Sequence, residues 1–74
     1  MIPYKNLSGS SGVSAYETGS DAIAVQFNDG GLYLYNFRSA GSQNIEAMKN
    51  LAAKGLGLNS YINTHVRKLY ARKY

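Results

Sequence analysis

The most regular alternation of apolar and polar positions runs from Ile23 to Phe27, where Ile23, Val25 and Phe27 are separated by Ala24 and Gln26. A period of two places every second side chain on one face, the mark of a half-buried strand. Asn28-Asp29-Gly30-Gly31 interrupts the run with residues that close turns, and Leu32 to Phe37 resumes it as a returning strand. Upstream, Val13 to Tyr16 reads as a third short strand, joined to the first two by turn residues between Glu17 and Asp21. These segments predict a three-stranded antiparallel meander.

The length of the loop decides what the tyrosines do. A three-residue loop with Gly30 left-handed suits Asn-Asp-Gly as a type I turn with a G1 bulge, and it pairs Val25 with Tyr33 and Ile23 with Tyr35. Tyr33 and Tyr35 then share the core face, with Leu32 and Leu34 outward. A two- or four-residue loop reverses that and leaves an exposed aromatic row of Tyr33, Tyr35 and Phe37. The first register is favoured, and the second stays open.

Beyond residue 41 the period changes. Arg38 to Gly41 reads as a loop, Ser42 as a helix N-cap, and Ile45, Met48, Leu51 and Ala52 follow at helical spacing with Glu46 and Lys49 outside. Gly55 or Gly57 ends that helix. Asn59 is placed to cap a second one, whose Ile62, Val66 and Leu69 form a stripe with Tyr70 at its edge. The expected fold class is α+β: a three-stranded antiparallel β-meander followed by two α-helices packed on one face. Asn6 to Gly12 is too polar and glycine-rich to pack. Residues 1–12 are therefore expected as a flexible lead-in and residues 13–74 as a single domain.

Seventy-four residues allow one small core, which is marginal without outside help. With no cysteine and one histidine, His65, neither disulfides nor a metal site can supply it. Association into a homodimer is the remaining common form of help. No apolar run approaches the roughly 20 residues of a membrane span, and the start lacks a signal-like pattern, so no membrane partner and a cytoplasmic location are expected. Seven tyrosines and two phenylalanines, with no tryptophan, suit a small core whose rim keeps hydroxyls wet.

Charge is distributed unevenly. Lys5, Arg38, Lys49 and Lys54 balance Glu17, Asp21, Asp29 and Glu46, so the net +4 belongs to Arg67, Lys68, Arg72 and Lys73. A concentrated cationic strip attracts polyanions by charge alone.

Several of these features coincide in order and spacing with a known pattern. Ser10-Ser11 before Val13, then Ile23-x-Val25-x-Phe27, Gly30 and Tyr33-Leu34-Tyr35, resemble the KTSC domain family. The Ala53-Lys54-Gly55-Leu56-Gly57 segment, the Asn59-x-x-Ile62 helix start, and Arg67 with Tyr70 resemble its second half. The likeness covers roughly residues 10–70, with Tyr33 and Tyr35 as its motif residues. It implies a stand-alone bacterial or phage protein, or an appendix to some lysyl-tRNA synthetases. For this family no function is established, although RNA binding has been suggested.

No catalytic constellation stands out. Ser60, His65 and Asp29 have no organising motif, Gly30-Gly31 and Gly55-x-Gly57 lack phosphate-loop spacing, and the four acids are scattered. The chain is read as a non-enzyme without cofactor or metal. Two readings of the cationic end compete. It is either a solvated helix terminus, favoured by the macrodipole by ~0.3–1 kcal/mol per charge, or a weak site for RNA or another polyanion. In the second reading Arg67, Lys68, Arg72 and Lys73 meet phosphates, while Tyr70 and Tyr74 stack on bases. A module for protein interaction or homodimerisation, using the outward sheet face or an edge strand, is the alternative of another class.

Overall fold

The computed structural model describes residues 1–74, and its architecture is α+β: one antiparallel sheet of five strands with helices on one face. The strands β1 (Ile2–Pro3), β2 (Val13–Thr18), β3 (Ala22–Phe27), β4 (Leu32–Asn36) and β5 (Arg72–Lys73) lie side by side in chain order. Between β4 and β5 come α1 (Phe37–Ala40), α2 (Ser42–Lys54) and α3 (Leu58–Tyr61), the last continuing into a π-helical turn (Ile62–Val66).

The predicted meander forms the centre of the sheet. Val25 pairs with Tyr33 and Ile23 with Tyr35, the register of the three-residue loop. Gly30 stands at φ 94°, and the Phe27 amide donates to the Gly31 carbonyl at 2.8 Å. Asp29 adds a side-chain acceptor for the Gly31 amide at 2.9 Å, an Asx closure of the turn. A bulge between Val13 and Ala15 lets Val13 and Tyr16, three residues apart, both point inward.

Both outer strands were missed because two residues carry no readable period. Part of the expected lead-in packs on the domain. Ile2 pairs with Tyr16, Tyr4 is only 7% exposed, and its hydroxyl accepts from the buried Leu58 amide at 3.3 Å. The polar stretch after it bonds largely to itself, the Asn6 side-chain Oδ1 accepting from the Ser11 amide at 3.0 Å. The Leu7 amide also ties it to the Gly55 carbonyl at 2.8 Å.

The helices pack on the inner face through Ile45, Met48, Ala52, Leu58, Ile62 and Val66, against Ile23, Val25 and Tyr35. The α2 stripe is the predicted one, with Leu51 partly buried at its border. Its caps differ from expectation. The Arg38–Gly41 segment is mostly helical, since Asn36 and Ser39 make a reciprocal capping box that starts α1. Gly41, not Ser42, then stands at the α2 N-cap, and Gly55 ends α2 at φ 81°. Gly57 takes the N-cap of α3, which puts Asn59 inside the helix.

The basic end is not the helix the sequence predicts. The last helix stops at Val66, and Leu69, expected on its apolar stripe, is 45% exposed. The chain turns there, the Leu69 amide donating to the Val66 carbonyl at 2.7 Å. It then runs back along β4, where Ala71 and Tyr74 donate amides to the carbonyls of Leu34 and Leu32. An edge strand presents a row of unpaired backbone groups, and these bonds satisfy part of the row on β4. No helix is long and apolar enough to cross a membrane.

Candidate nucleic-acid groove

The return of the chain over β4 builds a groove that the linear sequence does not announce. Its volume is about 560 Å³, within the range of small-ligand sites. The β3–β4 hairpin supplies Phe27, Asp29, Tyr33 and Tyr35 to its lining, the helix Asn59 and Asn63, and the turn Arg67, Lys68 and Tyr70. Gly12, just before β2, completes one side.

The aromatic rings form a connected series. Phe27 meets Tyr33 edge-on at 5.5 Å between centroids, Tyr33 meets Tyr70 at 5.1 Å, and Tyr70 meets Tyr35 at 6.4 Å. Edge-to-face contacts of this kind contribute ~0.5–1.5 kcal/mol each beyond area burial. Tyr35 is 1% exposed, whereas Tyr70 keeps 37% of its surface open. Burial, with the neighbouring Tyr33 and Tyr70, pushes the Tyr35 phenol up from 10.0 to about 12. Tyr35 is thus a neutral floor at ordinary pH, and Tyr70 an accessible ring above it.

The six residues expected to bind nucleic acid divide into two groups. Arg67, Lys68 and Tyr70 line the groove. Lys73, paired with Tyr33 on β5, shares the groove's side of the sheet, whereas Arg72, paired with Leu34, stands on the outer face together with Tyr74. Lys73 reaches back to the Tyr33 ring at 5.5 Å, and Arg72 lies over the Tyr74 ring at 5.4 Å. None of the four cations has an acidic partner, since the only ion pairs are Met1 with Glu17 and Lys49 with Glu46. Their charge is available to an outside anion.

Sequence reasoning missed Asn59, Asn63 and Asp29 as groove residues. Asparagine before an apolar stripe is usually a cap, and that is the role the sequence predicts for Asn59. The hydrogen bonds show otherwise. Of the half-buried asparagines, Asn6, Asn36 and Asn44 each spend their side chain inside the protein, while Asn59 makes no side-chain hydrogen bond. His65 points elsewhere: it stacks on Tyr61 at 4.1 Å and bonds to the Thr64 hydroxyl. No group of three or more His, Cys, Asp or Glu residues is placed to hold a metal ion.

Comparison of the chain with models of protein families, with curated proteins and with solved structures yields no match.

Proposed function

We propose that this domain is a weak binder of nucleic acid, single-stranded RNA foremost, and that the groove rather than a basic helix is its site. The observation that carries the reading is the meeting of an exposed aromatic ring, Tyr70, with two unpaired cations, Arg67 and Lys68, in one concave site. A base stacked on a tyrosine contributes ~1–3 kcal/mol, and cations beside it hold the phosphate of the same nucleotide. Lys73, on the same face of the sheet as Tyr33, adds a further charge beside the groove. The domain acts by binding, without a reaction or cofactor of its own.

Fluorescence anisotropy with labelled tRNA and a single-stranded RNA, at about 50 and 200 mM salt, tests it. Binding should fall steeply with salt, and the double variant Arg67→Ala/Lys68→Ala should lose more affinity than Arg72→Ala/Lys73→Ala. Equal binding by both variants and the parent would refute the assignment.

A second reading, self-association, rests on the outer sheet face. All the helices lie on the inner face, leaving Leu32, Leu34, Ala24 and Ala15 half-exposed on the other. Light scattering over a wide concentration range decides it: a constant monomer mass removes the homodimer.

A further inference from the structure

We infer that the groove takes one unpaired base bearing an exocyclic amino group, adenine foremost, and that the Asn59 amide reads its edge. This rests on the nucleic-acid reading above and adds a selectivity to it.

The argument starts from hydrogen-bonding capacity that the protein leaves unspent. An asparagine side chain carries one carbonyl acceptor and two amide donors, any of which is free to bind a ligand where the fold does not use it. Asn59, in contrast to Asn6, Asn36 and Asn44, bonds to no protein group, and its amide stays open to solvent at the wall of the groove. Gly12 stands against it: a Cβ built there would lie 3.4 Å from Asn59 Nδ2 and 3.6 Å from Oδ1. The missing side chain leaves the amide room on that side. A donor and an acceptor side by side match the paired groups on the edge of adenine, N6–H and a ring nitrogen.

Asp29 narrows the choice. One carboxylate oxygen accepts from the Gly31 amide in the turn, and the other has no partner in the protein. That oxygen can only accept, so it favours the exocyclic amino group of adenine, cytosine or guanine over uracil, whose exocyclic groups are carbonyls. The groove is also polarised. Its acid comes from the hairpin tip and its cations from the turn after the helix, which directs the base amino group to the first and the phosphate to Arg67 and Lys68. The tyrosine rings line the same groove, and a purine has the larger stacking area on them. A base already paired in a duplex would present neither this edge nor a free face, so the bound base is an unpaired one.

The test measures binding of short labelled oligo-A, oligo-C and oligo-U of about eight nucleotides at about 50 mM salt. The parent should bind oligo-A about tenfold tighter than oligo-U, with oligo-C between them. Asn59→Ala should bring oligo-A and oligo-U within about twofold of each other while still binding both. Asp29→Asn keeps the turn acceptor and should raise oligo-U relative to oligo-A, which provides a second variant if Asn59→Ala fails to fold. Equal binding of oligo-A and oligo-U by the parent, or a preference that survives both substitutions, overturns this inference alone. Failure of all three oligonucleotides to bind overturns the nucleic-acid reading with it.

Discussion

Lys73 and Tyr33 face each other across the β4–β5 pair, and the Lys73 ammonium stands 5.5 Å from the centre of the Tyr33 ring. The same ring takes the edges of Phe27 and Tyr70. Tyr33 is therefore where the hairpin, the turn after the helix and the final strand are brought together. A residue expected to serve as a phosphate contact has a structural partner as well, and both roles are measurable.

If the cation–π contact holds β5 in place, Lys73→Ala destabilises the domain by ~0.5–1 kcal/mol, the range for an exposed pair of this kind. Lys68→Ala, which removes a cation with no ring or carboxylate partner, should leave stability within about 0.5 kcal/mol. Urea denaturation of the two variants measures the difference. An equal effect from both would mean that the contact contributes nothing.

Tyr4 carries the clearest prediction against the view of residues 1–12 as a lead-in. Its hydroxyl is the side-chain acceptor for the buried Leu58 amide at the start of α3. Tyr4→Phe keeps the ring and leaves that donor unsatisfied, which costs ~1–3 kcal/mol. A midpoint in urea indistinguishable from that of the parent would show that the bond contributes nothing to the fold.

How far the sequence discloses this architecture follows from what each element is made of. The β3–β4 hairpin is legible because Asn28-Asp29-Gly30 names its turn and the turn sets the register of Tyr33 and Tyr35. Helix α2 is legible through Ile45, Met48 and Ala52. The strands β1 and β5 are not, since they form by pairing with an edge already in place. The end of the last helix is hidden for a related reason. No glycine or proline follows Val66, and Leu69 continues the apolar stripe on paper, yet the π-helical turn at Ile62–Val66 precedes a reversal onto β4. The candidate site inherits both outcomes. Its cations and Tyr70 were visible as a basic, aromatic ending, whereas the groove that joins them to Asn59 and Asp29 required the reversal.

Gly55 shows how closely the N-terminal segment is fitted to α2. Its φ of 81° disfavours any side chain, and a Cβ there would lie 2.5 Å from the Lys5 Cβ and 3.4 Å from the Lys5 Cα. Gly55→Ala should cost at least ~1–2 kcal/mol from the left-handed backbone alone, with the clash added. Gly30→Ala, at φ 94° with nothing within 4 Å, should pay only the backbone part. Thermal melts of the pair test whether the contact with Lys5 matters: equal losses would show that it does not.

Tyr35 predicts an alkaline limit to stability. Its phenol is pushed up to about 12 in the folded chain from 10.0, chiefly by burial. Ionisation is thus easier in the unfolded chain, so the neutral phenol's contribution is complete below pH 10 and is lost as pH rises toward 12. Tyr35→Phe cannot ionise. The stability of the parent relative to Tyr35→Phe should therefore fall by roughly 2 kcal/mol between pH 9 and pH 12. Urea midpoints for both proteins at the two pH values measure this, and a constant difference would place the Tyr35 hydroxyl in water rather than in the floor of the groove.

Charge, base edge and stacking within the groove are separable by salt. On single strands, each phosphate contact contributes about 0.7 to the slope of log affinity against log salt. Arg67→Ala should flatten that slope by about 0.7, because it removes a charge and its released counterion. Asn59→Ala should lower affinity for oligo-A and leave the slope unchanged, because an amide that reads a base edge displaces no counterion. Tyr70→Leu should resemble Asn59→Ala in slope but weaken every oligonucleotide, since stacking does not depend on the base edge. The three substitutions thus give three signatures from one titration series. A flattened slope in Asn59→Ala would mean that its damage reaches the cations, and an unchanged slope in Arg67→Ala would remove the guanidinium from the phosphate.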